Sequence, residues 1–267
     1  MGGITSSGTS TLSAFQWMFV HGAAGSSSFW NLVRPVFPAA WAVDLPGHLA
    51  GRARSTHPAV TSSEQILDSI DAFADWLMGE IAAQHWGEVV LVGHSMGGAI
   101  AQMVALRRPA WLRGVVLSST GPILPVPDEL IDLVRHDYPA AVDWILAHSF
   151  ATPPTGYRRE GIRRQLLRIP LTVTLADYRA CNAFDIRADL EQTQWSIPTV
   201  ILCGQEDQMT PLTYSAFLKA HMAGAQLGLI ENAGHMAPVE QPAAWVAAVQ
   251  RLWAQVATET RPAPGAE

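Results

Sequence analysis

One stretch restricts the fold more than any other: Glu88-Val89-Val90-Leu91-Val92-Gly93-His94-Ser95-Met96-Gly97-Gly98-Ala99. Its apolar, β-branched run stops at a glycine, which predicts a buried strand. The residues from Gly98 to Leu106 read as a helix. Between them Gly93-His94-Ser95-Met96-Gly97 has the form Gly-x-Ser-x-Gly, with one serine at the apex of a tight turn. A serine held on so sharp a turn crowds the backbone two positions to either side, so those positions must lack a Cβ. Strand, strained turn and helix are the parts of a nucleophile elbow. The same turn puts the Met96 N–H at a helix N-terminus, where negative charge is favoured.

The rest of the chain repeats the strand–helix alternation. Strand-like runs occur at Phe15–Val20, Ala40–Leu45, Gly114–Ser118, Thr199–Cys203 and Ala225–Ile230. A short helix holding Phe29, Trp30, Leu32 and Val33 is expected, capped by Ser26 or Ser27 and ended by Pro35 and Pro38. Thr61-Ser62-Ser63-Glu64 reads as a capping box before a helix that places Ile66, Ile70, Phe73, Leu77 and Ile81 on one face. Thr210-Pro211 starts another helix, with proline at its first position. A last helix runs from about Gln241-Pro242 through Ala257. Such alternation predicts an α/β fold: a mostly parallel central sheet with helices on both faces. From Gly121 to Ser196 prolines punctuate short helical patterns and no strand is expected. That stretch reads as a helical cap or lid inserted at a strand's C-terminal end, where ligands bind in open α/β sheets. The expected division is a core from 1–120, a cap from 121–196, a second core segment from 197–257 and a disordered tail from 258–267.

Composition narrows the class. The chain has 267 residues, 49% of them hydrophobic, enough for one α/β core with an insertion. A net charge of −6 argues against nucleic acid or an anionic membrane as partner. Two cysteines, Cys181 and Cys203, are too few for a disulfide framework or a zinc site and read as buried thiols. No Lys or Arg precedes Arg34, so no signal-peptide n-region is expected, and no apolar run approaches the ~18 residues of a membrane span. A cytoplasmic enzyme acting on a small molecule, without a cofactor or metal, is the expectation.

A serine hydroxyl is a weak nucleophile. It needs a base within hydrogen-bond reach, and the base needs an orienting group. Asp207 follows the strand 199–203 in Gly204-Gln205-Glu206-Asp207, and His235 follows the last strand in Gly234-His235. With His21-Gly22, Asp44-Leu45-Pro46-Gly47-His48 and the Ser95 elbow, these motifs fall in the order of the α/β-hydrolase superfamily. The chain resembles a lid-bearing serine esterase of that superfamily over nearly its whole length. The resemblance implies Ser95 as nucleophile, His235 as general base and then acid, and Asp207 as its orienter. It implies an oxyanion hole from the backbone N–H groups of Ala23 and Met96. The chain departs from the family pattern at Leu49–Ser55, where a longer loop replaces the usual Gly-x-Ser, and in its short segment before the first strong strand.

Several residues keep two readings. Glu206, Asp128 or Asp185 are alternative orienters for His235. His21 reads as a brace of the oxyanion loop and His94 as packing at the elbow. His48, His57, His136 and His148 read as surface or packing residues. Trp30, Trp144, Phe150 and Phe184, with Tyr157 and Trp195, are candidates to line an apolar acyl pocket or to pack between lid and sheet. The basic run Arg158–Arg168 suits an anionic substrate or an acyl carrier, or else a solvated lid face. The expected function is cleavage of a carboxylic ester of a small or medium, partly hydrophobic substrate through an acyl-enzyme. C–C, lactone or thioester hydrolysis on the same triad is the alternative, and a non-catalytic ligand receptor of the same fold is the alternative from another class.

Overall fold

The computed structural model describes residue 12, residues 15–48 and residues 66–259. Six parallel strands form one sheet in the order β2-β1-β3-β4-β5-β6. The strands are β1 (Gln16–Val20), β2 (Ala40–Val43), β3 (Val89–His94), β4 (Leu112–Ser118), β5 (Thr199–Gly204) and β6 (Gln226–Ile230). Register is continuous through the centre: Val20 faces Gly93, and Gly93 faces Leu117. Parallel strands need crossover connections, and the helices supply them on both faces.

Side-chain alternation decides which helix packs where. Met18, Leu91, Val115 and Ile201 point to one face, against α1 (Ile70–Ala83), α2 (Met96–Leu106) and α8 (Leu212–His221). Trp17, Phe19, Val90, Val92 and Val116 point to the other, against α10 (Pro242–Glu259) and the turn Ser27–Trp30. The second face is aromatic: Trp17 meets Trp253 edge-on with ring centroids 5.2 Å apart, and Trp30 meets Phe19 at 5.1 Å. Each such fully buried large side chain contributes on the order of 2 kcal/mol of transfer free energy.

Between β4 and β5 the chain leaves the sheet and returns through α3 (Asp128–His136), α4 (Tyr138–His148), α5 (Gly156–Leu166), α6 (Leu171–Ala183) and α7 (Arg187–Gln192). An isolated antiparallel bridge between Ile123 and Asp185 stitches the two chain crossings, and Ile186 N donates to Pro122 O at 3.0 Å. The helices share a small core of Leu130, Val134, Ala141, Ile145 and Tyr178. The Tyr138 hydroxyl joins them by reaching the carbonyls of Leu166 (3.2 Å) and Ile169 (3.0 Å) and the Thr174 hydroxyl (3.0 Å).

Several expected boundaries move. The helix expected after Thr61–Glu64 begins at Ile70, where the Ser69 hydroxyl accepts from Ala72 N at 3.2 Å. Ile66 is exposed ahead of it. The capping box itself, the Leu49–Ser55 loop, His57, residues 1–11 and residues 260–267 lie outside the described residues. The short helix expected over Phe29–Val33 is two 3-10 turns, Ser27–Trp30 and Arg34–Val36, and Pro35 sits inside the second instead of ending the first. Pro211 is the residue before α8, not its first position, and its extended backbone turns the chain into the helix. A further one-turn helix, α9 (Ala237–Glu240), precedes α10, which runs two residues past Ala257. No helix among the described residues is long and apolar enough to cross a membrane.

Candidate active site

The elbow has the backbone its glycines imply. Ser95 adopts φ 52° and ψ −119°, a strained conformation for an L residue. A Cβ on Gly93 would collide with the Gly97 carbonyl, and one on Gly97 with the Val20 carbonyl. Ser95 N donates to Ser118 O at 3.0 Å, and the Thr120 hydroxyl donates to Ser95 O at 2.8 Å, so the end of β4 and the residues just past it hold the turn. Met96 is the first residue of α2. Its side chain is buried in the core, and only its backbone N–H remains at the elbow.

Asp207 and His235 come together from the ends of β5 and β6. Their rings and carboxylate lie at Nδ1···Oδ2 3.0 Å and Nδ1···Oδ1 3.1 Å. Asp207 is further held by Met209 N (3.0 Å), Thr210 N (2.9 Å) and the Thr210 hydroxyl (2.8 Å). Burial alone would raise the Asp207 pKa; the charge and hydrogen bond of His235 and the Thr210 bonds more than reverse that and hold it below the usual carboxylate range. With Nδ1 bonded to a carboxylate, Nε2 is the ring nitrogen left for chemistry. None of the alternative orienters takes this place. Asp185 pairs with Arg187 at 2.6 Å, while Glu206 and Asp128 are exposed.

His94 lies buried beneath His235. Its Nε2 donates to the His235 carbonyl at 2.9 Å, and its ring stacks on Phe29 with centroids 4.3 Å apart. Burial, with His235 beside it, pushes its pKa down to about 3, so it is neutral. His21 is also fully buried. Leu45 N donates to its Nε2 at 3.1 Å, and its Nδ1 donates to Gly22 O at 2.8 Å. Burial and neighbouring His48 hold its pKa well below the ordinary value.

The turn Gly22–Gly25 closes with Gly25 N donating to Gly22 O at 3.2 Å. Among the described residues neither Ala23 N nor Met96 N donates to a protein acceptor. Ala24 N donates to Asp177 Oδ2 at 2.8 Å, and the same oxygen lies 2.8 Å from His48 Nε2. Sequence reasoning missed both residues. His48, read as surface or packing, is in a buried ion pair. Asp177 is a carboxylate on the buried face of α6, between Val173, Ala176, Ala180 and Cys181; that apolar setting was its only signal. Thr210, three residues after Asp207, was also missed.

Ser95 and His235 border one cavity of about 680 Å³, roofed by the inserted helices. Of the expected lining aromatics, Trp144 and Phe150 border it. Trp30 does not: it is fully buried behind Phe29, packed on Phe19 and Trp245. Phe184 is in the core beneath the insertion, Trp195 is buried with its indole N–H on Ile197 O at 2.9 Å, and Tyr157 is exposed to solvent. Apolar residues without aromatic rings, such as Leu124, Leu130, Ile145 and Leu166, supply much of the wall instead. The basic run turns away. Helix α5 gives the cavity Ile162, Gln165 and Leu166, while Arg159 and Arg163 converge on Asp143 at 2.6 and 3.0 Å. No group of three or more His, Cys, Asp or Glu side chains among the described residues is placed to hold a metal ion.

Residues 18–249 match the model of the alpha/beta hydrolase family. The chain belongs to this family. Among curated relatives, the 2-succinyl-6-hydroxy-2,4-cyclohexadiene-1-carboxylate synthase of Shigella dysenteriae is 28% identical, over 88% of this chain and 93% of its own. An uncharacterized protein of Mycobacterium tuberculosis is 25% identical, over 88% of this chain and 74% of its own. Among solved structures, a thermophilic esterase is 29% identical with a TM-score of 0.75, covering 90% of both chains. An esterase from Exiguobacterium antarcticum superposes with a TM-score of 0.77 at 18% identity, over 90% of this chain and 92% of its own, which shows the shared fold. This alpha/beta hydrolase is thus a hydrolase-fold protein with esterase-like neighbours.

Proposed function

We propose that the protein is a serine hydrolase that cleaves carboxylic esters of uncharged, partly hydrophobic acids or alcohols through an acyl-enzyme. The observation that carries this reading is the Asp207–His235 pair at 3.0 Å, opening onto the same cavity as Ser95 on its strained elbow. Ser95 Oγ attacks the ester carbonyl while His235 Nε2 takes its proton. Asp207 holds the ring and stabilises the imidazolium that forms. The N–H groups of Ala23 and Met96 receive the developing oxyanion; each such donor is worth on the order of 3 kcal/mol. His235 then gives its proton to the leaving alcohol. A water activated by the same nitrogen releases the acid.

The cavity wall supports an uncharged substrate. No Lys, Arg, Asp or Glu among the described residues lines it. Burying a carboxylate there without a partner costs far more than burying an acyl chain. A carboxylate compound of the kind named for the Shigella relative is therefore a poorer fit than a neutral ester.

The test is a panel of p-nitrophenyl esters, lactones and β-diketones, with Ser95→Ala as blank. Turnover of the esters that vanishes in the folded variant supports the reading. Preferred turnover of lactones or diketones moves the bond, and ligand binding with no turnover makes the protein a receptor.

A further inference from the structure

The inserted helices and the sheet exchange a buried contact that the proposed reaction does not itself require. Asp177, in the middle of α6, is completely buried. Its Oδ2 accepts from Ala24 N and from His48 Nε2, both at 2.8 Å, while Oδ1 has no protein partner among the described residues. His48 Nδ1 faces Pro46 O at 3.1 Å, an atom that can only accept. Against an ionised Asp177 both ring nitrogens donate, which is the imidazolium form of His48. Burial opposes that charge; the charge and hydrogen bond of Asp177 outweigh it and hold the pKa above the ordinary value.

A buried ion pair with an unpartnered carboxylate oxygen is a poor device for stability, because apolar residues of the same volume do as well. Its geometry suggests another use. Ala24 has φ 53°, an unfavourable conformation for alanine, at the third position of the Gly22–Gly25 turn. A positive φ there belongs to a turn whose central peptide is flipped, and glycine is the residue that normally accepts it. That central peptide carries the Ala24 N–H, and it adjoins the peptide carrying the Ala23 N–H. A carboxylate on Ala24 N thus holds the central peptide in this orientation, next to the peptide whose Ala23 N–H is unbonded.

We propose that Asp177, held by His48, is a positioning residue for the oxyanion turn: it reaches from the helical insertion to fix the Ala24 peptide and, through it, the Ala23 N–H. The insertion is thereby part of the reacting apparatus and not merely a cover over it. This rests on the esterase reading above. The other titratable groups near the pair are His21, which is neutral, and the Tyr138, Tyr178 and Cys181 side chains, all held in their neutral forms by burial. Of these groups His48 is the one whose pKa is raised from the ordinary histidine value, so it loses its proton as pH rises through that raised value.

The experiment compares wild-type protein with Asp177→Asn and Asp177→Leu, each checked for folding by circular dichroism, with a p-nitrophenyl ester as substrate. A small displacement of a donor costs about tenfold to a hundredfold in rate. The expected result is a kcat lower by about that factor with KM nearly unchanged. Inhibition by a boronic acid, which forms a tetrahedral adduct, weakens by the same factor, and binding of the product alcohol does not change. The wild-type kcat falls at high pH as His48 loses its proton, and the variants lose that limb. Amide exchange at Ala24 is protected in the wild type and fast in Asp177→Leu. Folded variants that keep both kcat and boronate affinity within about twofold of wild type would overturn the proposal. If the wild-type protein turns over no ester, the esterase reading fails instead. The exchange measurement still decides on Asp177 in that case, since unchanged Ala24 protection in the variants overturns the proposal without any activity.

Discussion

His94 Nε2 donates to the backbone carbonyl of His235 across 2.9 Å, joining the strand end before the elbow to the loop that carries the proposed base. That bond fixes the His94 tautomer: the hydrogen is on Nε2, and the ring is neutral. The loop is held from the other side too. Glu240 accepts from Gly234 N and from Ala151 N, both at 2.8 Å. His235 is thus set by its backbone, independently of its bond to Asp207.

Two neutral histidines in the core predict acid sensitivity. His94 is pushed down to about 3 and His21 well below its ordinary value, both chiefly by burial. Between the folded value and about 6.5 the unfolded chain binds the extra proton. The contribution of these two histidines is therefore complete above about pH 6.5 and falls as pH drops below it, by about 1.4 kcal/mol per pH unit for each. Asp207, with a lowered pKa, adds to the loss only below about pH 4. Urea midpoints between pH 7 and pH 4 measure the slope, and His94→Gln should make it shallower by one proton. His48 works in the opposite sense. Its raised pKa gives stability that is full below the unfolded value and is lost as pH rises through the folded one.

Gly234→Ala tests the seating of the His235 loop. A Cβ there would lie 2.6 Å from Ala151 N and 2.8 Å from Phe150 C, backbone atoms of the segment that follows α4. Overpacking of this kind costs about 1–3 kcal/mol. The expected outcome is a lower denaturant midpoint and a kcat reduced more than KM is raised.

Thr210→Val removes the hydroxyl on Asp207 Oδ2 and keeps the shape of the side chain. A hydrogen bond to a charged group contributes about 1.5–3 kcal/mol. Ester turnover at pH 7 should fall by about tenfold. Initial rates on a p-nitrophenyl ester, set against wild type, check this.

The cavity wall sets the acyl preference. Leu166→Trp fills space on the α5 side of the cavity. It should lower kcat/KM for p-nitrophenyl octanoate relative to acetate by about tenfold or more, with acetate turnover little changed.

The elements that carry the proposed chemistry were readable because local rules and tertiary packing agree there. The apolar run before Gly93 is a central strand, and Gly93 and Gly97 are glycine because backbone approaches them. Asp207 and His235 follow strands whose apolar runs are equally plain. Ile70, Phe73, Leu77 and Ile81 form the buried face of α1 as their spacing predicts. Other features depend on contacts that spacing does not encode. Asp177 meets Ala24 across 153 positions, and nothing near either residue in sequence announces the other. Trp30 and Phe184 looked like pocket aromatics because aromatic composition does not say which side of a segment faces the cavity. Phe29, one residue before Trp30, borders it instead. Ser69 is as good a cap by local preference as the serines before it in the sequence, and spacing does not say which of them starts α1.

The most direct test of Ser95 as nucleophile is intact-mass and peptide mapping of the protein quenched during turnover of a p-nitrophenyl ester. One acyl group should appear on the peptide holding Ser95, at a level that rises with substrate and decays when the ester is exhausted. Neither Ser95→Ala nor His235→Ala should carry it. Steady ester turnover with no acyl group on that peptide, or turnover retained in Ser95→Ala, would contradict the assignment.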